Sequence, residues 1–318
     1  QEAADQLGCA VYDDYRKLLK DKSLKLDLVV NALPSFLHPK GSIAALNAGY
    51  HVVCEKPAAR SVKDFDKVVA AANAAGKLIL PFQNSRFYPF FQKMREVIAS
   101  GKLGKIVHIR SNWSGFGRRW DWQMQQEFHG GNLLNTGPHP VDQAIILFGE
   151  DMPKVFARLH SECPWGDADN FSQVVLYGPG KPTIEIVLNS FQAFPMGDQY
   201  NVSGTYGGMT GSASGLKWKY FDPATAPTHS YNGEWSEKRS YCRESLTWIE
   251  ESWAPTGEST FEVLSRGFYD NAYDIIVNNG KRIITLEQVR RQVAVMEEAW
   301  RQNRLPKQAR KFLGKHKS

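Results

Sequence analysis

Nothing in this 318-residue sequence approaches the roughly 20 consecutive apolar residues of a membrane-spanning helix, so a helical integral membrane protein is excluded. Cysteine is scarce and unpatterned. Cys9, Cys54, Cys163 and Cys242 show no paired spacing, which argues against a disulfide framework and for a reducing, cytoplasmic setting. His160 and Cys163 stand close enough to suggest two metal ligands, yet no second cluster completes a coordination sphere, and no metal is expected. Charge of one sign is thin outside the last twelve residues. There, Lys307, Arg310, Lys311, Lys315 and Lys317 stand without an acid and supply most of the formal +6, leaving about +1 for the body. A near-neutral body offers no field for a nucleic acid, and no membrane partner is expected either. Internal repeats and low-complexity segments are also missing.

A further absence lies at the start. Residues 1–10 read as the end of a helix and residues 11–20 as a short strand edge followed by a helix. Neither holds the glycine-rich turn after a first strand, nor the acidic residue about 20 positions later, that a dinucleotide fold uses for pyrophosphate and ribose. A βαβ start of very roughly 30 to 40 residues is therefore expected upstream of Gln1, and any export signal with it.

What is present reads as an ordinary globular enzyme of two domains, by length and by its 42% apolar and 23% charged residues. The chain is organised around residues 26–57, LDLVVNALPSFLHPKGSIAALNAGYHVVCEKP. Leu26, Leu28, Val29 and Val30 form the apolar run of a parallel strand buried on both faces. Residues 31–39 then read as a proline-marked loop, Ile43 to Asn47 as a helix stopped by Gly49, and residues 51–54 as a second strand. Ligands of open α/β sheets sit beyond the carboxyl ends of the strands, so the loops carrying Asn31, Pro34, His38, Glu55 and Lys56 face one crevice.

This run, with its Pro, its His four residues on, its Ala-Gly stop and Glu55-Lys56-Pro57, resembles the marker segment of the glucose-fructose oxidoreductase / inositol dehydrogenase / rhizopine-catabolism family. The resemblance implies a Rossmann-type parallel sheet, its amino-terminal βαβ start apparently missing, followed by a mostly antiparallel β-sheet domain with helices. Boundaries at 1–86 and 87–318 fit that plan. It also implies NAD or NADP as cofactor, contacted by Asn31, Pro34, His38, Glu55, Lys56, Gln83 and Asn84.

Downstream, Ser61 and Asp64 resemble a capping box opening a helix that ends at Gly76. A third strand over 77–81 leads into Gln83, Asn84, Arg86 and Phe87, a match to the family's polar positions near the nicotinamide; Arg86 reads as a substrate contact or, equally, as a structural ion pair. An amphipathic helix over 87–100 follows, then strands over 105–113, 154–160, 172–177, 183–190 and, with glycine turns, 200–220. Residues 111–129 form a long polar stretch in which Trp113, Trp120 and Trp122 offer flat faces to sugar C–H groups and Arg118, Arg119 and Asp121 offer hydrogen bonds. Trp and Arg suit a subunit interface equally well. Helices close the chain over 261–279 and 285–303; Tyr269 and Tyr273 in the first read as core packing.

Residues 130–149, GGNLLNTGPHPVDQAIILFG, resemble the family's second motif, with Asn135, His139 and Asp142 at its polar positions. Asn135 and His139 would share a helical face, though Pro138 and Pro140 argue for a kink or restart. Alcohol oxidation needs a hydride acceptor, a base and donors that orient the hydroxyl. The resemblance makes Lys56 and His139 the catalytic pair. His139 would take the proton, imidazole titrating near neutrality, while Lys56 polarises the oxygen, its pKa lowered by burial beside a positive nicotinamide. Asn135, Arg86, Trp113, Arg118, Trp120 and Asp142 would bind substrate. The expected activity is hydride transfer between NAD(P) and a secondary hydroxyl of a sugar, glycoside or cyclic polyol, in a homodimer or homotetramer. Alternatives are elimination or epimerisation by transient oxidation on a retained NAD, and a non-catalytic sugar or nucleotide sensor. A cis Lys56–Pro57 bond would suit a lysine fixed at a strand end.

Overall fold

A computed structural model describes residues 2–307, apart from 163, 195–196, 232, 236, 238–240 and 258–259. Cys163 and the basic tail from Arg310 onward lie outside the described residues. The chain opens with two short helices, α1 (Glu2–Leu7) and α2 (Tyr15–Lys20), and no strand lies between them, where one was expected. Val11 is exposed there, and Asp14 caps α2 by accepting from the Arg16 N–H.

Three strands, β1 (Leu28–Asn31), β2 (His51–Cys54) and β3 (Ile79–Pro81), form a parallel sheet in that order. Val29 pairs with Val52, and Val53 with Leu80, so their carboxyl ends finish level. β2 is buried throughout its apolar part, but β1 is an edge strand whose Val30 is 49% exposed, against the expectation of burial on both faces. The crossover helix α3 (His38–Asn47) starts earlier than expected, because Pro39 sits in its first turn, where the missing N–H costs nothing. Helix α4 (Val62–Ala75) connects β2 to β3. Its Ser61 hydroxyl accepts from the Asp64 N–H at 3.1 Å, and Gly76 ends it in the left-handed region at φ 60°.

Helix α5 (Pro89–Ala99) leads into a second sheet of eight strands: β4 (Ile106–Asn112), β5 (Lys154–His160), β6 (Phe171–Tyr177), β7 (Thr183–Asn189), β8 (Tyr200–Gly204), β9 (Gly207–Ser212), β10 (Gly215–Tyr220) and β11 (Ile249–Trp253). Its order is β11-β10-β9-β8-β4-β7-β6-β5, antiparallel except where β4 meets β7. β11 was not foreseen: it carries two glutamates, is mostly exposed and pairs with β10 across a long connection. One face of the sheet packs on α5, α7 (Pro138–Phe148) and α9 (Leu286–Gln302), around Phe91, Met94, Ile145, Ile186, Val293 and Met296, while α8 (Thr260–Asn278) packs on the turn after β3, with Phe268 against Phe82. The reciprocal capping box is at Thr285 and Gln288, where side chain and backbone bond both ways. No helix among the described residues is long and apolar enough to cross a membrane.

Candidate active site

A crevice of about 310 Å³ opens beyond the carboxyl ends of β1 and β2, lined by Leu33, Pro34, His38, Glu55, Lys56, Trp122, Gln123, His129 and Asn135 among others. Its floor is built by tying two loops together. The buried His38 places Nδ1 2.8 Å from the Pro57 carbonyl and Nε2 2.6 Å from the Leu33 carbonyl, joining the loops after β2 and β1. Asn31 completes this scaffold by donating to the His38 carbonyl and to the Ser42 hydroxyl, both at 2.9 Å. Phe36 packs against Trp122 and Phe128, with ring centroids 6.3 and 5.2 Å away, and so brings the 122–128 segment over the crevice.

Lys56 enters from the end of β2. Glu55 accepts the Lys56 backbone N–H at 3.1 Å, the Lys56–Pro57 bond is cis, and the ammonium donates to the Asn135 carbonyl at 2.8 Å. Asn135 ends the short helix α6 (Asn132–Asn135), and the chain turns at Thr136 and Gly137 before α7 restarts at Pro138. The prolines therefore break the segment, as the sequence implied. His139 in the first turn of α7 stacks on Trp113 with centroids 6.0 Å apart and planes 18° from parallel.

Electrostatics separates the two catalytic candidates. Burial lowers the pKa of Lys56, the Arg119 charge adds to that, and Glu55 opposes it. Burial, then the Lys56 charge, brings His139 down to about 3, which overturns the expectation of an unshifted imidazole. His139 is thus neutral through the physiological range, and its buried Nδ1 has no hydrogen-bond partner. His129, with left-handed backbone at φ 56°, is lowered to about 4, chiefly by burial.

Several expected contacts fall elsewhere. Arg86 and Asp142 are both buried and bonded to each other, so neither can greet a substrate; the structural ion pair is the outcome. Gln83 is buried and donates to Gln292 at 2.8 Å, and neither it nor Asn31 nor Asn84 lines the crevice. Arg118 instead lies 4.5 Å over the Trp165 ring, and Trp120 is 76% exposed, both outside the crevice. Tyr269 and Tyr273 are 39% and 63% exposed, so they are not core residues. Tyr269 packs on Phe82, and its phenol is raised by burial and by the charge of Glu55, which puts it beside the crevice. His129 and Gln123 were missed; the available signal in the sequence was the Gly130-Gly131 pair beside His129, and the structure gives its reason, since a Cβ on Gly130 would lie 2.2 Å from the Gln123 carbonyl oxygen. Among the described residues no group of three or more His, Cys, Asp or Glu could hold a metal. A larger cleft of about 810 Å³ lies on the second sheet, remote from the strand ends.

His139 and Trp113 do not line the crevice itself; His139 is near enough to Lys56 for the Lys56 charge to lower its pKa, and its buried Nδ1 has no hydrogen-bond partner. A desolvated lysine and the Trp122 ring beyond the ends of parallel strands fit the reactive end of a nicotinamide nucleotide. Comparison with known proteins agrees. Residues 1–82 match the model of an oxidoreductase family with an NAD-binding Rossmann fold, and residues 91–210 match the GFO/IDH/MocA C-terminal domain. An uncharacterised oxidoreductase of Schizosaccharomyces pombe is 26% identical over 317 residues, 92% of this chain and 82% of that protein. A D-xylose 1-dehydrogenase (NADP(+)) of Haloferax volcanii is 31% identical over 183 residues, 56% of this chain and 54% of that protein. A crystal structure of an NAD-binding protein from Listeria innocua shares the fold, with TM-score 0.75 and 24% identity over 96% of this chain and 88% of that one.

Proposed function

The chain belongs to the GFO/IDH/MocA family of NAD-binding oxidoreductases, and from that premise we propose that it transfers a hydride between NAD(P) and a secondary hydroxyl of a sugar, glycoside or cyclic polyol. The observation that carries the reading is the Lys56 ammonium, desolvated in the crevice and held 2.8 Å from the Asn135 carbonyl. Bound nicotinamide supplies the hydride chemistry; Pro34, Glu55 and Trp122 line the space that would hold it.

Lys56 is the proton-transfer group in this reading. Burial brings its acid strength towards that of a useful general acid or base, whereas His139, at about 3, is too weak a base to compete for the proton. Neutral His139 instead orients the reacting hydroxyl by hydrogen bond, with Trp113 fixing its plane. Asn135 offers its side-chain amide to a neighbouring hydroxyl while its carbonyl holds Lys56. The D-xylose dehydrogenase relative supports a carbohydrate substrate. A cytoplasmic homo-oligomer, joined through the second sheet where Tyr206, Phe221 and Trp248 line the larger cleft, completes the proposal.

The test is a panel of aldoses, glycosides and cyclic polyols with NAD⁺ or NADP⁺, followed by nicotinamide absorbance. Reduction with at least one such compound is expected. Tight NADH binding with no reduction by any of them, and no redox exchange on isotopically labelled cofactor, would overturn it.

A further inference from the structure

Asp169 is fully buried just before β6, on the side of the α6 turn away from Lys56's anchor. Its Oδ2 accepts the Leu133 N–H at 2.8 Å and the Ser172 hydroxyl at 2.5 Å, and its backbone carbonyl accepts the Asn132 N–H at 2.8 Å. Its Oδ1 has no hydrogen-bond partner and sits so close to Gly131 that a Cβ there would approach it to 2.0 Å, at a residue whose φ of 101° already demands glycine. No neighbouring charge offsets it: burial, opposed only by hydrogen bonds from Ser172 and the backbone, pushes the carboxyl up to about 6.

A buried carboxylate without a cation is expensive, and a serine or asparagine could have satisfied one backbone N–H without that desolvation. What the carboxylate adds is a charge-assisted bond of roughly twice the strength of a neutral one. The element it grips needs it. α6 is four residues long, too short to hold itself together, and its first N–H groups have no partners of their own. Asp169 takes the N–H groups of Asn132 and Leu133. The Asn132 side chain adds bonds to the Asn170 carbonyl and the Ser190 hydroxyl, both at 2.9 Å. At its other end the same turn presents the Asn135 carbonyl to the Lys56 ammonium.

We propose that Asp169 is a positioning residue for Lys56: it fixes the α6 turn to the second sheet, so that the Asn135 carbonyl stays where it holds the lysine in the crevice. The proposal rests on the role given to Lys56 above, but it can be read without any substrate.

The experiment is a titration of Lys56 in the full chain by NMR, after reductive ¹³C-methylation, with the Lys56 signal assigned by its loss in Lys56→Met. In Asp169→Ala the turn loosens, water reaches the ammonium, and the Lys56 titration moves to higher pH. Asp169→Asn, whose side-chain carbonyl still accepts the Leu133 N–H, returns it most of the way. Where a substrate is in hand, kcat in Asp169→Ala falls about tenfold or more while the KM for cofactor changes less. If the alanine variant does not fold, Asp169→Leu replaces it, filling a similar volume while removing both the buried charge and the acceptor. A folded alanine or leucine variant with unchanged Lys56 titration overturns the proposal. So does an asparagine variant shifted as far as the alanine or leucine one. Failure of every substrate to turn over, with the Lys56 shift present, instead counts against the oxidoreductase reading alone.

Discussion

Arg86 donates from Nε and Nη2 to the two carboxylate oxygens of Asp142, each at 2.7 Å, in a pair that is almost wholly buried. The guanidinium also donates to the Ile283 carbonyl at 3.0 Å and to the Gln288 side chain, so it joins the turn after β3 to α7 and to the start of α9. Breaking one side of such a pair strands a buried charge. Arg86→Met is expected to lose about 3–5 kcal/mol of unfolding free energy, and Arg86→Met with Asp142→Leu to recover most of it. Urea denaturation checks both; a single variant as stable as the parent would refute the structural role.

Stability should fall as the medium is acidified, and the sign follows from three groups shifted chiefly by desolvation. His129 and His139 are lowered from 6.5 to about 4 and about 3, so their contribution is complete above 6.5 and is lost as pH falls through those values. Asp169 is raised from 3.8 to about 6, so its contribution is present below 3.8 and is lost as pH rises through 6. Two groups outweigh one between about pH 6 and pH 4. Urea midpoints should therefore drop across that window, less so in His139→Gln and more so in Asp169→Asn. Midpoints that stay level or rise on acidification would contradict the assignment.

Trp113 shields one face of the His139 ring. Trp113→Ala should admit water and raise the imidazole towards its ordinary value, read from the pH dependence of the ring proton signals. An unchanged titration would mean that Trp113 does not set the state of His139.

Much of this architecture is written locally. The apolar runs of β1 and β2, the Ser61 cap, the proline break before His139 and the Lys56 tripeptide each depend on neighbours a few residues away, and all are legible in the sequence. What was not legible depends on distance along the chain. Arg86 meets Asp142 across 56 residues, which turns two expected substrate contacts into a buried pair. His139 is already paired with Lys56 in the sequence, but the depth of its burial, which shifts it most, is not legible there. Val30 reads as buried from its own character, but its 49% exposure depends on what covers that face of the sheet, which the local run does not encode. Asp169 belongs to no local pattern in the sequence, and only the fold puts it under Leu133.

The account turns on Lys56, and Lys56→Met tests it most directly. Methionine keeps the length and apolar stem of the side chain while removing the proton-carrying group. With NADH affinity measured by energy transfer from tryptophan to the nicotinamide, and turnover measured on a compound reduced or oxidised by the parent, the variant should bind cofactor nearly as before and lose about 10²–10⁴-fold in kcat. Near-normal turnover in a folded, cofactor-binding Lys56→Met protein would contradict the central claim.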